Sequence, residues 1–365
     1  MMKKQPPGLG NSQISLLEHL CNAFAVSGDE GAVRTIVKEQ ISSCADELTT
    51  DVMGNLLAIR KGSGDGRLRV MLAAHMDEVG MMLTNEEEDG IFRFEAVGGL
   101  DARWLAGKPV LVGDDQLPGV IGFKPIHLST SEEIKQAVSI SQLRIDIGQE
   151  NGKHAKPGDR ATFATRFMRK GSVIQAKALD DRLGVATLIE LFKHAPDKID
   201  LLAAFTVQEE VGLRGAKVAA YSFDPDIAIV LDCTPANDMP LWNQGNCTGD
   251  DCPENTRYNT RVGAGPAIYI ADRVTLSDPR LVRFLAQIAE QNGIPYQFRQ
   301  PGGGGTDAGA IHKQRAGIPS VSVSVPGRYL HTPVSMIRLD DWKHTLALIY
   351  SALENLHADI FSAER

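Results

Sequence analysis

The sequence predicts an α/β protein built on a parallel-type sheet and interrupted by a small β insert. Helical stripes and continuous apolar runs alternate through about residue 75 and again beyond about residue 171, as in strands joined by helical crossovers. Between them, short segments with period-two alternation and Gly, Asp and Pro punctuation take over. Length agrees, since 365 residues exceed one compact domain of about 100–200 residues. The expected organisation is a discontinuous α/β domain, residues 1–75 and 172–365, enclosing a β domain at 76–171.

Element by element, Ile14, Leu17, Leu20, Cys21 and Phe24 form one apolar stripe. A helix is therefore expected over 12–24, with Ser12 as its N-cap. A second helix begins near Glu30 and turns Val33, Ile36, Val37 and Ile41 inward. The segment Asp51-Val-Met-Gly-Asn55 signals a turn into a strand at Leu56–Arg60. The unbroken run Val70–Ala74 reads as a strand buried on both faces.

In the insert, Phe92, Phe94 and Ala96 alternate with Arg93 and Glu95. Further strands are expected at Pro109–Val112, Gly119–Phe123, Leu143–Ile147 and Arg160–Thr165, with a short helix near Glu132–Val138. Afterwards helices are expected over 181–194, 279–292 and 340–357, and strands over 201–207, 227–231, 267–270 and 320–325.

An apolar share of 43% and a charged share of 23% suit a globular chain and disfavour disorder, a coiled coil or collagen. Acidic residues outnumber basic ones, 46 to 38, and the net charge of −8 argues against a nucleic-acid partner. No stretch nears the ~18 uninterrupted apolar residues of a membrane span. The opening Met1-Met2-Lys3-Lys4-Gln5-Pro6-Pro7-Gly8 carries charge with no apolar core behind it, so no signal peptide is visible. Five cysteines (Cys21, Cys44, Cys233, Cys247 and Cys252) are odd in number and form no CxxC. A reducing cytoplasm is the expected location.

Five segments carry candidate chemistry: Ala74-His75-Met76-Asp77-Glu78, Leu179-Asp180-Asp181-Arg182, Gln208-Glu209-Glu210-Val211-Gly212, Leu231-Asp232-Cys233 and Arg328-Tyr329-Leu330-His331. In open α/β sheets, ligands collect at the carboxyl ends of strands. His75 follows 70–74, Glu209 and Glu210 follow 201–207, Asp232 ends 227–231, and His331 comes soon after 320–325. Each segment has a plain alternative. A strand-end histidine can simply bond a carboxylate, paired glutamates can face solvent, Asp180-Asp181 can cap a helix, Asp232 can close a turn, and His331 can sit in the core. One metal centre replaces five separate explanations.

The charges agree with such a centre. Asp180, Asp232 and Glu210 would bring three negative charges to two divalent ions beside two histidines. Imidazole and carboxylate donors without thiolate suit zinc or cobalt in a reactive site rather than a structural zinc knot. Two metals sharing a carboxylate make the usual clamp for activating water and polarising a carbonyl. Of two adjacent glutamates, one can bind metal while its neighbour stays free to take a proton. Asp77, two residues past His75, can accept the other ring N–H of that histidine.

At these residues the chain resembles the dinuclear-metal aminopeptidases, the family of glutamyl aminopeptidase and the tetrahedral (TET) and deblocking aminopeptidases. Some relatives carry an endoglucanase or cellulase label. The likeness covers nearly the whole chain. Its ordered motifs run from Ser27-Gly28-Asp29-Glu30 and Thr50-Asp51-Val52-Met53-Gly54-Asn55, through the His75, Asp180 and Glu209-Glu210 segments, to Gly304-Gly305-Thr306-Asp307-Ala308 and Arg328-Tyr329-Leu330-His331.

The resemblance implies that His75 and Asp232 hold one metal, Glu210 and His331 the other, and Asp180 bridges both. Glu209 would be the general base and Asp77 its companion. It also implies a phosphorylase/hydrolase-like α/β catalytic domain, with a mixed sheet flanked by helices and an inserted small β-barrel-like domain for dimer contacts. Short peptides are the implied substrates, and homo-oligomers from dimers to dodecamers the implied assemblies.

Two departures stand out. The stretch from Asp232 to Gly263-Ala-Gly-Pro266 is longer than in typical relatives and holds Cys247-Thr-Gly-Asp-Asp-Cys252. It reads as a surface loop, with a reshaped substrate entrance or an oligomer contact as the alternative. In His331-Thr-Pro-Val-Ser335, many relatives carry glutamate at the position of Ser335.

The remaining features read plainly. Gly302-Gly-Gly-Gly305 lacks the Lys-Ser/Thr of a phosphate loop and is expected to let backbone approach the site. Cys233 is expected to be a small buried hydrophobe. Trp104, Trp242 and Trp342 share no spacing that would make a sugar platform. The rival activities are a metal-dependent deacylase or carboxypeptidase, a glycosidase, which needs two carboxyls and no metal, and a non-catalytic shell subunit.

Overall fold

The first expected helix forms over Asn11–Asn22 in the computed structural model, which describes residues 5–239, 260–299, 302 and 304–361. Its cap differs from the expectation. Gly10 rather than Ser12 is the N-cap, because the Gln13 side chain reaches back and accepts the Gly10 N–H at 2.9 Å. The second helix, Gly31–Ile41, buries Val33, Val37 and Ile41 as its stripe requires.

Among the described residues the main sheet has eleven strands. Its path runs through Glu47–Thr50, Leu56–Arg60, Ile199–Thr206, Leu68–His75, Ile227–Pro235, Ser320–Arg328, Ser335–Arg338, Val173–Ala176 and Met168–Lys170. Ala267–Tyr269, joined to Gln297–Arg299, branches from Ser320–Arg328. Only the central four, from Ile199–Thr206 to Ser320–Arg328, run parallel along that path, and its flanking pairings are antiparallel. The sheet is therefore mixed. Alternation of helix and strand revealed the parallel centre but not the antiparallel margins, whose short strands are defined by the neighbours they pair with.

The central strands are buried on both faces, with side chains alternating between two helical layers. Val70, Leu72 and Ala74 meet the helices Asn11–Asn22, Gly31–Ile41, Leu179–Lys193, Pro279–Asn292 and Leu339–Asn355. Met71 and Ala73 face the opposite layer, where Arg214–Phe223 and Ala308–Ile311 contribute Ala216, Ala219, Ala220, Phe223, Ala308 and Ile311. The sequence reading did not anticipate the Arg214–Phe223 helix, since its inward stripe is mostly alanine and gives little apolar contrast. Among the described residues no helix is long and apolar enough to cross a membrane.

Six antiparallel strands close a separate barrel in the order Gly80–Glu88, Ile91–Val97, Arg144–Asp146, Leu117–Gly122, Pro109–Val112 and Arg160–Phe163. Phe92, Phe94, Val110, Ile121, Ile145 and Phe163 fill its interior. The expected short helix is present as Ser131–Lys135, opened by a Thr130–Glu133 capping box.

Candidate metal centre

Parallel strand ends assemble the site. His75 is the last residue of its strand and lies in register with Thr206, just before Gln208-Glu209-Glu210. Asp232 lies in the adjoining strand, paired with Ser324 of the strand that leads to His331. Asp180 sits between the two histidines and turns one carboxylate oxygen to each. Its Oδ1 is 3.2 Å from His75 Nε2 and its Oδ2 is 3.4 Å from His331 Nε2. Asp232 lies on the His75 side at 3.9 Å, and Glu210 on the His331 side at 3.2 Å. The five ligand-type residues singled out in the sequence thus converge around Asp180, with His75 and Asp232 on one side and His331 and Glu210 on the other.

Asp77 organises the backbone beneath them. Its carboxylate accepts the N–H of Glu209 at 3.0 Å and of Glu210 at 3.2 Å, and the Ser27 hydroxyl at 2.6 Å. The nearest partner of His75 Nδ1 is the Asp77 carbonyl at 3.1 Å, with the carboxylate at 3.5 Å. Asp77 therefore reaches His75 chiefly through its backbone, while its carboxylate holds the Glu209-Glu210 turn. The early motifs brace the same turn. Glu30 accepts the Gln208 N–H, while Asn55 accepts the Val207 N–H and donates to the Gly215 carbonyl.

The electrostatics call for added positive charge. Burial, reinforced by Glu210, Asp307 and Asp77 and opposed by His75, raises the Glu209 pKa well above the carboxylate range. Burial also raises Asp232, with Asp180 and Asp181 adding to it, and raises Glu210 against the pull of His331. Burial alone would lower the His331 pKa, yet hydrogen bonds to Asp180 and Glu210 push it up to about 11. The same balance holds His75 well above its usual value, through Asp180 and Asp77. Anions this crowded fit divalent cations, and His75 with Asp180 and Glu210, or with Asp181 and Asp232, places donor atoms within 4.8 Å of one another.

The profile of the M42 glutamyl aminopeptidase family matches residues 54–348, which span every ligand-type residue above. The chain belongs to the M42 peptidase family. A glutamyl aminopeptidase of Lactococcus lactis is 31% identical over 349 residues, covering 92% of this chain and 94% of that one. The structure of a TET aminopeptidase from a marine-sediment thaumarchaeon superposes with a TM-score of 0.88 at 32% identity, covering 96% of this chain and 98% of that one. A Pyrococcus horikoshii TET1 peptidase, described as assembling into a tetrahedron or a large octahedral shell, matches with a TM-score of 0.80 at 34% identity. That match covers 94% of this chain and the whole of the other.

Three features of this M42 chain become specific only in the fold. Asp181 is buried and takes the capping role expected of the pair: its Oδ1 accepts the Gly184 N–H at 2.9 Å and its Oδ2 the His75 N–H at 3.3 Å. Asp307 is buried, bonded through Oδ2 to the Thr206 hydroxyl, and its Oδ1 has no hydrogen-bond partner among the described residues. It lies in the Gly304-Gly305-Thr306-Asp307-Ala308 motif, whose spacing alone gives it no role. The third is an ion cluster beneath the site. Glu78 accepts from Lys177 at 2.8 Å and Arg182 at 3.3 Å, and from Thr162 of the barrel at 3.0 Å. Nothing local marks such a cluster, because its members come from separate elements.

Removing Glu78 would strand two buried cations. Glu78→Ala is expected to cost about 3–5 kcal/mol of stability. Urea unfolding measures it, and a loss below ~1 kcal/mol would mean the cluster carries little of the fold.

Cys233 is buried and its thiol donates to the Leu179 carbonyl at 3.2 Å. Burial raises its pKa well above the usual value, so it stays a thiol and a poor ligand. Ser335 is buried and donates to the Tyr329 carbonyl at 3.2 Å, securing the turn that carries His331. The glycine run is expected from the sequence to let backbone approach the site; at Gly305 the close neighbour is instead Val274, a methyl of which would lie 2.6 Å from an added Cβ. Trp242 and the Cys247–Cys252 stretch lie outside the described residues.

Proposed function

We propose that this chain is a metal-dependent aminopeptidase that removes the first residue of short peptides at a site for two divalent ions, zinc or cobalt. The carrying observation is Asp180, which turns one oxygen toward each histidine-containing half-site. In this reading His75 and Asp232 hold one ion, His331 and Glu210 the other, and Asp180 bridges. Once bound, such ions polarise the scissile carbonyl and make water a better nucleophile.

The remaining work falls to the protein. Glu209, free of the ligand set, takes the proton from the attacking water and returns it to the departing amine. Asp77 keeps Glu209 and Glu210 in fixed relation through the two backbone N–H groups it accepts. The carbonyl of Asp77 orients His75 so that Nε2 faces the other donors.

In the same reading residues 1–75 and 172–365 form the catalytic domain and residues 76–171 an inserted domain for contacts between copies, although the last strand of that stretch, Met168–Lys170, joins the main sheet rather than the barrel. Trp104, Ile126 and Leu128 of that insert are 49%, 73% and 63% exposed, apolar surface available to such contacts. A homo-oligomer, from a dimer to a closed shell like that of the Pyrococcus relative, would cover it. Sedimentation of the purified chain tests this, and a monomer would remove it. A cytoplasmic location is part of the proposal and rests on the odd number of cysteines, of which Cys21, Cys44 and Cys233 are free.

The deciding experiment follows release of the first residue from a panel of short peptides, with chelated and metal-restored protein. Release only after Co²⁺ or Zn²⁺ is restored is the expected result, and the panel ranks glutamyl against other first residues. Release from the carboxyl end, or none with any metal, would overturn the reading in favour of a carboxypeptidase or a non-catalytic subunit.

A further inference from the structure

The two histidines are held differently. His75 is 3% exposed, and its Nδ1 partner is a carbonyl two residues along its own segment. The His331 side chain is 39% exposed, on a turn where Tyr329 and His331 both have positive φ, 61° and 56°. Packing alone does not fix the ring. Its Nδ1 instead lies 3.2 Å from the carbonyl of Gly99, just past the barrel strand Ile91–Val97. A neutral imidazole that donates Nδ1–H to Gly99 leaves its Nε2 lone pair facing Asp180 and Glu210.

Small residues allow this approach. A Cβ on Gly98 would come within 2.8 Å of a Val79 methyl and 3.3 Å of Glu210 Cβ, and Gly98 itself has φ 87°. A Cβ on Gly99 would lie 3.1 Å from His331 Nδ1. Gly99 needs no left-handed backbone. An alanine there adds a methyl group against the imidazole without straining its own chain.

We propose that Gly99 is a positioning residue for His331, and that the inserted barrel thereby completes one of the two metal half-sites. Its backbone carbonyl selects the ring tautomer and sets the direction of Nε2, while His75 is oriented by the Asp77 carbonyl, two residues along its own segment and ahead of the first barrel strand. The proposal rests on the reading of His331 as a ligand. It adds that this ligand is oriented by the barrel, so the barrel is part of the active centre as well as a surface for contacts between copies.

The test is a Co²⁺ titration of chelated, full-length protein, followed by competition with a chromophoric chelator and by the visible absorption of bound Co²⁺. Gly99→Ala should take up one equivalent as the unmodified protein does. The other should bind about 10–100-fold more weakly, the usual cost of disturbing a ligand's outer hydrogen bond, with a changed absorption band. Gly122→Ala is the control. It adds a methyl group to the same barrel, 3.8 Å from the Arg144 carbonyl and in ordinary contact, and should titrate like the unmodified protein.

Two equivalents with unmodified affinity and spectrum in Gly99→Ala would overturn the proposal. Equal weakening in Gly122→Ala would also overturn it, by assigning the effect to the barrel's stability. His331→Ala separates this inference from the metal reading beneath it. If His331→Ala loses one equivalent while Gly99→Ala loses none, His331 stands as a ligand and only the role of Gly99 falls. If His331→Ala keeps both equivalents, the ligand assignment falls and the proposal with it.

Discussion

Glu209→Gln should keep both metal equivalents and lower kcat by about 10²–10⁴-fold, the range expected for loss of a general acid–base group. The substitution keeps size and hydrogen-bonding capacity but removes the ability to take a proton from water. The backbone is spared, since the Glu209 N–H goes to Asp77 whatever the side chain is. Glu210 cannot take over easily, because its carboxylate is engaged 3.2 Å from His331 Nε2. Metal content and kcat measured together decide the point. Turnover within a few-fold of the unmodified protein would remove Glu209 as the base.

Asp180→Asn should have the second large effect, on metal uptake as well as on turnover. Asparagine keeps the shape but turns one oxygen into an N–H donor, so one half-site loses its acceptor whichever way the amide faces. One negative charge is also lost from the centre. The Co²⁺ titration should fall from two tight equivalents to at most one, with a loss greater than the ~10–100-fold cost of an outer hydrogen bond. Peptide release should cease. Two tight equivalents in this variant would refute the bridging role.

The neighbouring pair Asp180-Asp181 shows how far sequence reasoning reached. Two acidic residues before a helical stripe suggest a cap, and the ligand-rich company of the other strand ends suggests a metal centre. The two residues divide: Asp181 accepts the helix N–H, while Asp180 faces the histidines, the place a metal ligand would need. Adjacent side chains leave the backbone in different directions, and only the surrounding fold decides which of them faces the site. Asp77 teaches the same lesson at the level of atoms, because its carbonyl and not its carboxylate is nearest to His75.

By itself, the sequence determined the order of the central elements and the kinds of side chain at their ends. Both are local properties, set by the period of apolar residues and by position relative to a buried run. The tertiary structure alone decided the antiparallel pairing of Leu56–Arg60 with Ile199–Thr206 and of Val173–Ala176 with Ser335–Arg338, the buried Glu78 cluster, the place of Asp307, and the reach of the Gly99 carbonyl to His331. Those features join residues far apart in the chain, Glu78 to Lys177 across 99 positions and Gly99 to His331 across 232. No window of sequence contains both partners of such a contact, so only the folded chain can bring them together.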